Sequence, residues 1–163
     1  MSQPMYNRIL VPVDGSRWGE RALPHAAKIA RNHDAELILL TVYKLPMVEY
    51  EDQMTLAGAT PISDQIRERA VNYMTSVRNQ LRQEGVNATY IIVEGTSPAE
   101  EIRKYVEAED IDLVVMSTHG RTGLARFLFG SVANKVLQTV RVPVMLIRPD
   151  EAEGDEVQPP EIG

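Results

Sequence analysis

The chain has 163 residues, no cysteine and a formal net charge of −6 at pH 7. The lack of cysteine excludes disulfides, thiolate nucleophiles and zinc–sulfur sites. The longest apolar runs are strand-sized, which excludes a membrane-spanning helix. With 44% hydrophobic and 25% charged residues, the composition predicts one globular domain over residues 1–149. The N-terminus has no apolar signal-peptide core, so a cytoplasmic location is expected.

Charge is unevenly distributed along the chain. Residues 150–163 contain only acidic charges, and we expect them to form a disordered tail. Between Leu113 and Pro149 there is no acidic residue, while five basic residues occur there: Arg121, Arg126, Lys135, Arg141 and Arg148. The last third of the domain is therefore cationic within an acidic protein.

The first half of the chain predicts two strands and two helices. An apolar run over Asn7–Asp14 indicates a buried strand, followed by a helix that begins near Ser16. Pro24 is expected to bend that helix or loosen one turn of it, because its ring removes one backbone hydrogen bond. Glu36–Tyr43 is a second, nearly continuous apolar strand, as in a parallel sheet. Residues 44–61 show no period and are expected to form a mobile loop, before an amphipathic helix from Ile66 to Leu81 that ends at Gly85.

The second half continues the alternation. Ala88–Glu94 predicts a third strand, and Ser97-Pro-Ala-Glu100 predicts a capping box at the start of a helix that ends near Glu109. A fourth strand over Ile111–Met116, a helix over Gly130–Val140 and a fifth strand over Val142–Ile147 complete the set. The alternation predicts an α/β fold, an open five-stranded parallel sheet with helices on both faces.

The most informative segment lies between the fourth strand and the helix that follows it, Met116 to Ser131. A buried strand that leads through a glycine-bearing loop to a helix N-terminus presents unpaired backbone N–H groups to an anion. Gly120 and Gly130 allow close approach of a ligand to the backbone. This pattern predicts a phosphate-binding cradle.

The same residues resemble the nucleotide-binding signature of the universal stress protein family, G-x2-G-x9-G-[ST]. Gly120, the nine residues 121–129 and Gly130-Ser131 match it, while Ser117 occupies the place of the first glycine. A positive φ at that place would cost a serine on the order of 1 kcal/mol. The resemblance covers residues 5 to 148. It implies a Rossmann-like sheet, as in the adenine nucleotide alpha hydrolases, with strand order 3-2-1-4-5 and a crevice between the first and fourth strands.

The resemblance implies which residues bind an adenine nucleotide. We expect ATP, with Mg²⁺ or Mn²⁺ held on its phosphates by Asp14. Asp14 has an alternative structural role as a helix cap, and the two roles are compatible. The expected binding residues are Pro12, Val13, Asp14, Val42, Met116, Ser117, His119, Gly120, Arg121, Gly130, Ser131, Val132 and Ala133.

The resemblance also implies a homodimer, because family members pair through the fifth strand; Val142, Val144 and Leu146 or their alternate neighbours would then lie at the interface. The implied function is a nucleotide-dependent regulator in the stress response. Two alternatives stay open: a member that binds no nucleotide and acts as a dimeric interaction module, and a binder of AMP or a cyclic nucleotide. Motifs of common enzymes are absent, so at most slow ATP hydrolysis is expected. Neither a nucleic acid nor a membrane is an expected partner.

Overall fold

The structure of the protein is a computed structural model that describes residues 5–45, 58, 60–119 and 130–148. The predicted tail, most of the predicted 44–61 loop, Gly120 and Arg121 lie outside the described residues. Strands and helices alternate in chain order: β1 Arg8–Pro12, α1 Arg17–Glu20, α2 Ala22–His33, β2 Glu36–Tyr43, α3 Ile62–Gln83, β3 Asn87–Glu94, α4 Pro98–Ala108, β4 Leu113–Ser117, α5 Ser131–Thr139 and β5 Val144–Ile147.

The five strands form one sheet in the order β3-β2-β1-β4-β5, and all their pairings are parallel. The strand order and the parallel sheet are confirmed. Since β1 connects to β2 on one side and pairs with β4 on the other, the direction of winding reverses between β1 and β4. In an open parallel sheet, that reversal opens a crevice at the carboxyl ends of the two strands.

Both faces of the sheet are covered, because successive strand residues contribute to two different cores. Ile9, Val11 and Leu39 pack with α2 and α3 on one face. Leu10, Leu40 and other alternate residues pack with α4 and α5 on the opposite face. This double burial explains the nearly continuous apolar runs of the central strands.

The loosened turn expected before Pro24 is present, because the helical segment after Ser16 is interrupted at Arg21, three residues before the proline that removes a backbone donor. One local prediction in the helices is wrong. The capping box is absent: Ser97 makes no side-chain cap bond, and Glu100 binds Arg103 instead.

Several element boundaries also differ from the predicted ones. The helix α3, in contrast, begins at Ile62, directly after the predicted 44–61 loop, and its end near Gly85 is confirmed by a φ of 81° at that glycine. The fourth strand runs over Leu113–Ser117 and the fifth over Val144–Ile147, each beginning two residues later than predicted.

A partly buried hydrogen bond joins α3 to the end of α1. The Tyr73 hydroxyl donates to Glu20 Oε1 over 2.9 Å, and the Gly15 N–H faces the same hydroxyl oxygen. Burial, and then the bond to Glu20, raise the pKa of Tyr73 well above its usual value near 10. The contact connects α3 to the turn that follows β1.

We expect the free energy of unfolding to fall less steeply with rising alkaline pH in Tyr73→Phe than in the wild type. Above about pH 10 the unfolded chain releases the Tyr73 proton while the folded chain retains it. The tyrosine's contribution to the free energy of unfolding is therefore complete below that pH and is lost as pH rises. Chemical denaturation over a neutral to alkaline series measures the difference. Tyr6→Phe, at a ring that packs edge-on against His33, is the control and should follow the wild type; parallel curves for wild type and Tyr73→Phe would contradict the assignment.

Candidate functional site

The predicted site residues at the ends of β1, β2 and β4 meet at one edge of the sheet. Leu10 pairs with Val114, and continuing that register by three residues places Val13 level with Ser117. Pro12 pairs with Leu40, and two residues further this register places Asp14 level with Val42. The carboxyl ends of β1, β2 and β4 thus bring Pro12, Val13, Asp14, Val42, Met116 and Ser117 to the same edge.

Asp14 organises the turn between β1 and α1. Its Oδ1 accepts hydrogen bonds from the Ser16 N–H at 2.9 Å and from the Ser16 hydroxyl at 2.5 Å. The Ser16 Oγ in turn accepts from the Gly19 N–H at 3.1 Å, so Ser16 is the N-cap of α1. A Cβ on Gly19 would lie 2.8 Å from Asp14 Oδ1. The carboxylate therefore has a structural role through Ser16, and Asp14 is not itself the N-cap.

The end of β4 carries three consecutive polar residues with little exposure. Ser117 is 7% exposed and Thr118 is 1% exposed. Ser117 Oγ accepts from the His119 N–H at 3.4 Å, and Thr118 Oγ1 lies 2.8 Å from His119 Nδ1. Ser117 is the last residue of β4, and in the described ranges only Asp34 and Asp110 combine a side chain with a positive φ. Ser117 therefore does not carry the energetic cost that a positive φ would impose on a serine.

Gly130 joins the start of α5 directly to the end of β4. Its N–H donates to the Thr118 carbonyl over 2.7 Å. A Cβ on Gly130 would lie 3.1 Å from that carbonyl oxygen and 3.8 Å from His119 Cα. With φ of −56°, the residue is in a conformation that any amino acid adopts. Glycine is needed here for space and not for an unusual backbone angle.

The N-terminus of α5 presents unpaired donors beside this contact. The first intrahelical bond runs from the Asn134 N–H to the Gly130 carbonyl, and Gly130 supplies no side-chain cap. The N–H groups of Ser131, Val132 and Ala133 precede that bond, so they are the helix donors open to an anion. The Gly130 N–H, in contrast, is already used by Thr118.

Asp14 is the one predicted metal ligand, and the described residues contain no group of three or more histidine, aspartate or glutamate side chains able to hold a metal ion. A cation at this edge would therefore depend on oxygens from a ligand and from water besides Asp14. That coordination is typical of Mg²⁺, which binds few protein carboxylates together with phosphates.

The structure brings together most of the predicted residues and adds others. Gly120 and Arg121 lie outside the described ranges, so their predicted roles stay predictions. Thr118 was not selected from the sequence, although a hydroxyl next to a histidine is a visible signal. Ser16 was expected only to begin a helix, and its bonds to Asp14 depend on a turn that periodicity does not reveal.

Taken together, the parallel strand order and the point of reversal define a doubly wound α/β domain. In such domains, ligands bind at the carboxyl ends of the strands that flank the reversal, which here are β1 and β4. No helix within the described ranges is long and apolar enough to cross a membrane. A model of the universal stress protein family matches residues 5–148. The chain belongs to the universal stress protein family.

Individual relatives agree with that membership. The universal stress protein MJ0531 of Methanocaldococcus jannaschii is 33% identical over 152 residues, covering 91% of this chain and 86% of the relative. The solved structure of MJ0577 from the same organism is 32% identical, with a TM-score of 0.77 over 90% of this chain and 99% of that one. The universal stress protein of Archaeoglobus fulgidus in complex with dAMP is 26% identical, with a TM-score of 0.62 over 88% and 98% of the two chains.

We expect Gly130→Val to lower the free energy of unfolding by about 1–3 kcal/mol, the usual cost of forcing extra carbon into a packed position. A branched side chain would collide with the Thr118 carbonyl, whereas Gly130→Ala places a single methyl at a tight distance and should cost less. Ser131→Ala, at an exposed helix start without a side-chain cap, is the neighbouring control and should change stability little. Urea denaturation gives all three values. A Gly130→Val protein as stable as the wild type would refute the steric explanation.

Proposed function

We propose that this protein is an ATP-binding universal stress protein, a dimeric, nucleotide-dependent regulator that works in the cytoplasm during the stress response. The observation that carries the proposal is the set of open N–H donors at the start of α5, held beside the end of β4 by Gly130. The relative from Archaeoglobus fulgidus binds dAMP, which supports an adenine nucleotide as the ligand class.

In the proposed complex, the chain binds the two ends of the nucleotide with different groups. The backbone of Val42, at the carboxyl end of β2, would contact the adenine, and Pro12, Val13 and Met116 would line the crevice. The N–H groups of Ser131, Val132 and Ala133 would receive the phosphates, because a helix N-terminus favours negative charge. Gly120 and Arg121 would complete the phosphate contacts.

Asp14 would hold Mg²⁺ or Mn²⁺ on the phosphates. Its Oδ1 is oriented by the Ser16 N–H and hydroxyl, so the carboxylate is already fixed in direction when the cation arrives. The bound cation supplies charge neutralisation for the phosphates. The proposal is a role in binding, with at most slow ATP hydrolysis.

A second candidate ligand is a nucleotide monophosphate, because the relative above binds dAMP. The N–H donors at the start of α5 do not distinguish a monophosphate from a triphosphate, so they suit either ligand. Competition between AMP and ATP for the purified protein decides between them, and binding of neither would assign the chain to the interaction-module alternative.

Ser131→Pro tests the phosphate cradle by removing one N–H without adding strain. Proline suits the first position of a helix, and ψ of 158° at Gly130 is the conformation that a residue before proline adopts. We expect Ser131→Pro to bind Mg-ATP about tenfold more weakly than Ser131→Ala, because loss of one hydrogen bond to a charged group costs about 1.5 kcal/mol. Ser131→Ala is the matched control, since both variants lack the hydroxyl and only one lacks the N–H.

Isothermal titration calorimetry with Mg-ATP gives both affinities, and thermal unfolding confirms that each variant is folded. Equal affinities for the two variants would contradict binding of the phosphates at the N-terminus of α5. Absence of binding by the wild type up to millimolar ATP would refute the proposed function itself.

The proposed dimer uses the outer edge of β5. Val142, Val144 and Leu146 pack on the core that α4 and α5 share, so the predicted interface set is directed inward. Met145, between them, is 38% exposed, and β5 pairs with β4 on one side. Backbone groups on its other edge, together with Met145, are therefore the surface available to a second copy.

We expect Met145→Arg to shift the protein from dimer to monomer, because a charged side chain on an edge strand opposes pairing with another strand. Light scattering coupled to gel filtration measures the mass. Leu137→Arg is the control, since Leu137 is similarly exposed, at 40%, but lies on α5. A wild-type protein that is monomeric at micromolar concentration would contradict the dimer.

A further inference from the structure

The turn between β1 and α1 contains a glycine whose conformation depends on its hydrogen bonds. Gly15 has a φ of 81° and is exposed. Glycine adopts positive and negative φ about equally well, so its own preference does not select this conformation. Gly15 follows Asp14 directly in the chain. The direction of the Asp14 carboxylate therefore depends on the bonds that hold the turn.

Two backbone N–H groups restrain this turn. The Ser16 N–H donates to Asp14 Oδ1 over 2.9 Å. The Gly15 N–H faces the Tyr73 hydroxyl oxygen, and that hydroxyl donates its one proton to Glu20 Oε1 over 2.9 Å. A hydroxyl has one proton and two lone pairs, so it makes both bonds at once. The peptide groups on either side of Gly15 are thus both fixed, one of them by a residue of α3.

The Tyr73 hydroxyl is itself held in place and lies close to Asp14. The ring packs against the core on the α2 and α3 face of the sheet. Burial, and then the bond to Glu20, raise the pKa of Tyr73, and the charge of Asp14 adds to the rise. The hydroxyl therefore keeps its proton, and with it the bond to Glu20, at neutral pH. Tyr73 connects the 22-residue helix α3 to the turn that carries Asp14.

We propose that Tyr73 is a positioning residue for the cation of the bound nucleotide: by accepting from the Gly15 N–H and donating to Glu20, its hydroxyl holds the turn in the conformation from which Asp14 binds Mg²⁺ or Mn²⁺. This inference rests on the proposed function. Without the hydroxyl, the turn has to be ordered when the cation binds, which costs affinity. Tyr73 acts through Asp14 and does not touch the ligand, and it gives α3, which carries none of the expected binding residues, a part in the site.

The restraint on the turn is measured first, in the ligand-free protein, by amide hydrogen exchange followed by NMR. The exposed Gly15 N–H is protected only by a hydrogen bond. We expect it to exchange about three- to tenfold faster in Tyr73→Phe, which keeps the ring and loses one hydrogen bond. An unchanged exchange rate at Gly15 would overturn the inference before any ligand is added.

Calorimetry then measures ATP binding twice, once with Mg²⁺ and once with a chelator and no divalent cation. The ratio of the two affinities reports the contribution of the cation. We expect Tyr73→Phe to lower this ratio about three- to tenfold, as for the loss of one hydrogen bond, with wild-type affinity for metal-free ATP. A hydroxyl that served only the stability of the fold would not change this ratio.

Two sets of variants provide the controls. Tyr90→Phe also removes a hydroxyl that contacts α3, 3.2 Å from Thr75 Oγ1, but Tyr90 lies on β3 and the variant should keep the wild-type ratio. Glu20→Gln retains an oxygen that accepts from the Tyr73 hydroxyl, so it should lose less of the ratio than Glu20→Ala does. Thermal unfolding confirms that each variant is folded.

The outcomes separate this inference from the proposed function. A wild-type ratio in Tyr73→Phe would overturn the inference and leave ATP binding standing. An equal loss of affinity with and without Mg²⁺ would also overturn it, because Tyr73 would then support the whole site and not the cation. Failure of the wild type to bind ATP under either condition would refute the proposed function, and this inference with it.

Discussion

One hydrogen bond holds the candidate site together, the bond from the Gly130 N–H to the Thr118 carbonyl. At 2.7 Å it joins the two residues that flank the long connection between β4 and α5, and it brings the free N–H groups of α5 to the edge where β1, β2 and β4 end. The close approach depends on the missing Cβ of glycine, because a methyl there would lie 3.1 Å from the carbonyl oxygen. In the proposed function this contact would form the phosphate cradle before a ligand arrives, which would lower the cost of binding.

The rigidity of that contact comes from the sheet beneath it. Alternate residues of β1, β2 and β4 belong to two cores, so each strand is packed from both faces. Residues of close-packed cores hold their positions. The ends of these strands are therefore held in fixed positions as well. The turn after β1 has a further restraint, since Asp14 bonds Ser16 and Tyr73 binds Glu20 at the end of α1. The functional residues are therefore on short extensions of a rigid scaffold, as precise binding sites require.

Much of this architecture could be predicted from the sequence, because the physics involved is periodic. Buried strands and amphipathic helices repeat their apolar residues at fixed intervals, and their alternation leads to a parallel sheet. Features set by single contacts were not predictable. Glu100 has the spacing of a capping box, yet Arg103 is a stronger partner for its carboxylate. An electrostatic contact overrides a local preference there, and no periodicity records it.

Two of the three glycine positions of the family motif illustrate why motif letters need a physical reason. At Gly130 the reason is steric, since φ is ordinary and a Cβ would lie at a tight 3.1 Å from the Thr118 carbonyl oxygen. Ser117 stands at the other position, in extended backbone at the end of β4, and its hydroxyl bonds the His119 N–H. A substitution that would be strained at a left-handed residue is unstrained here, and it adds a restraint on the backbone. The departure from the motif at Ser117 is consequently no argument against a ligand at this edge, whereas a side chain at position 130 would press on the Thr118 carbonyl, to which the Gly130 N–H donates.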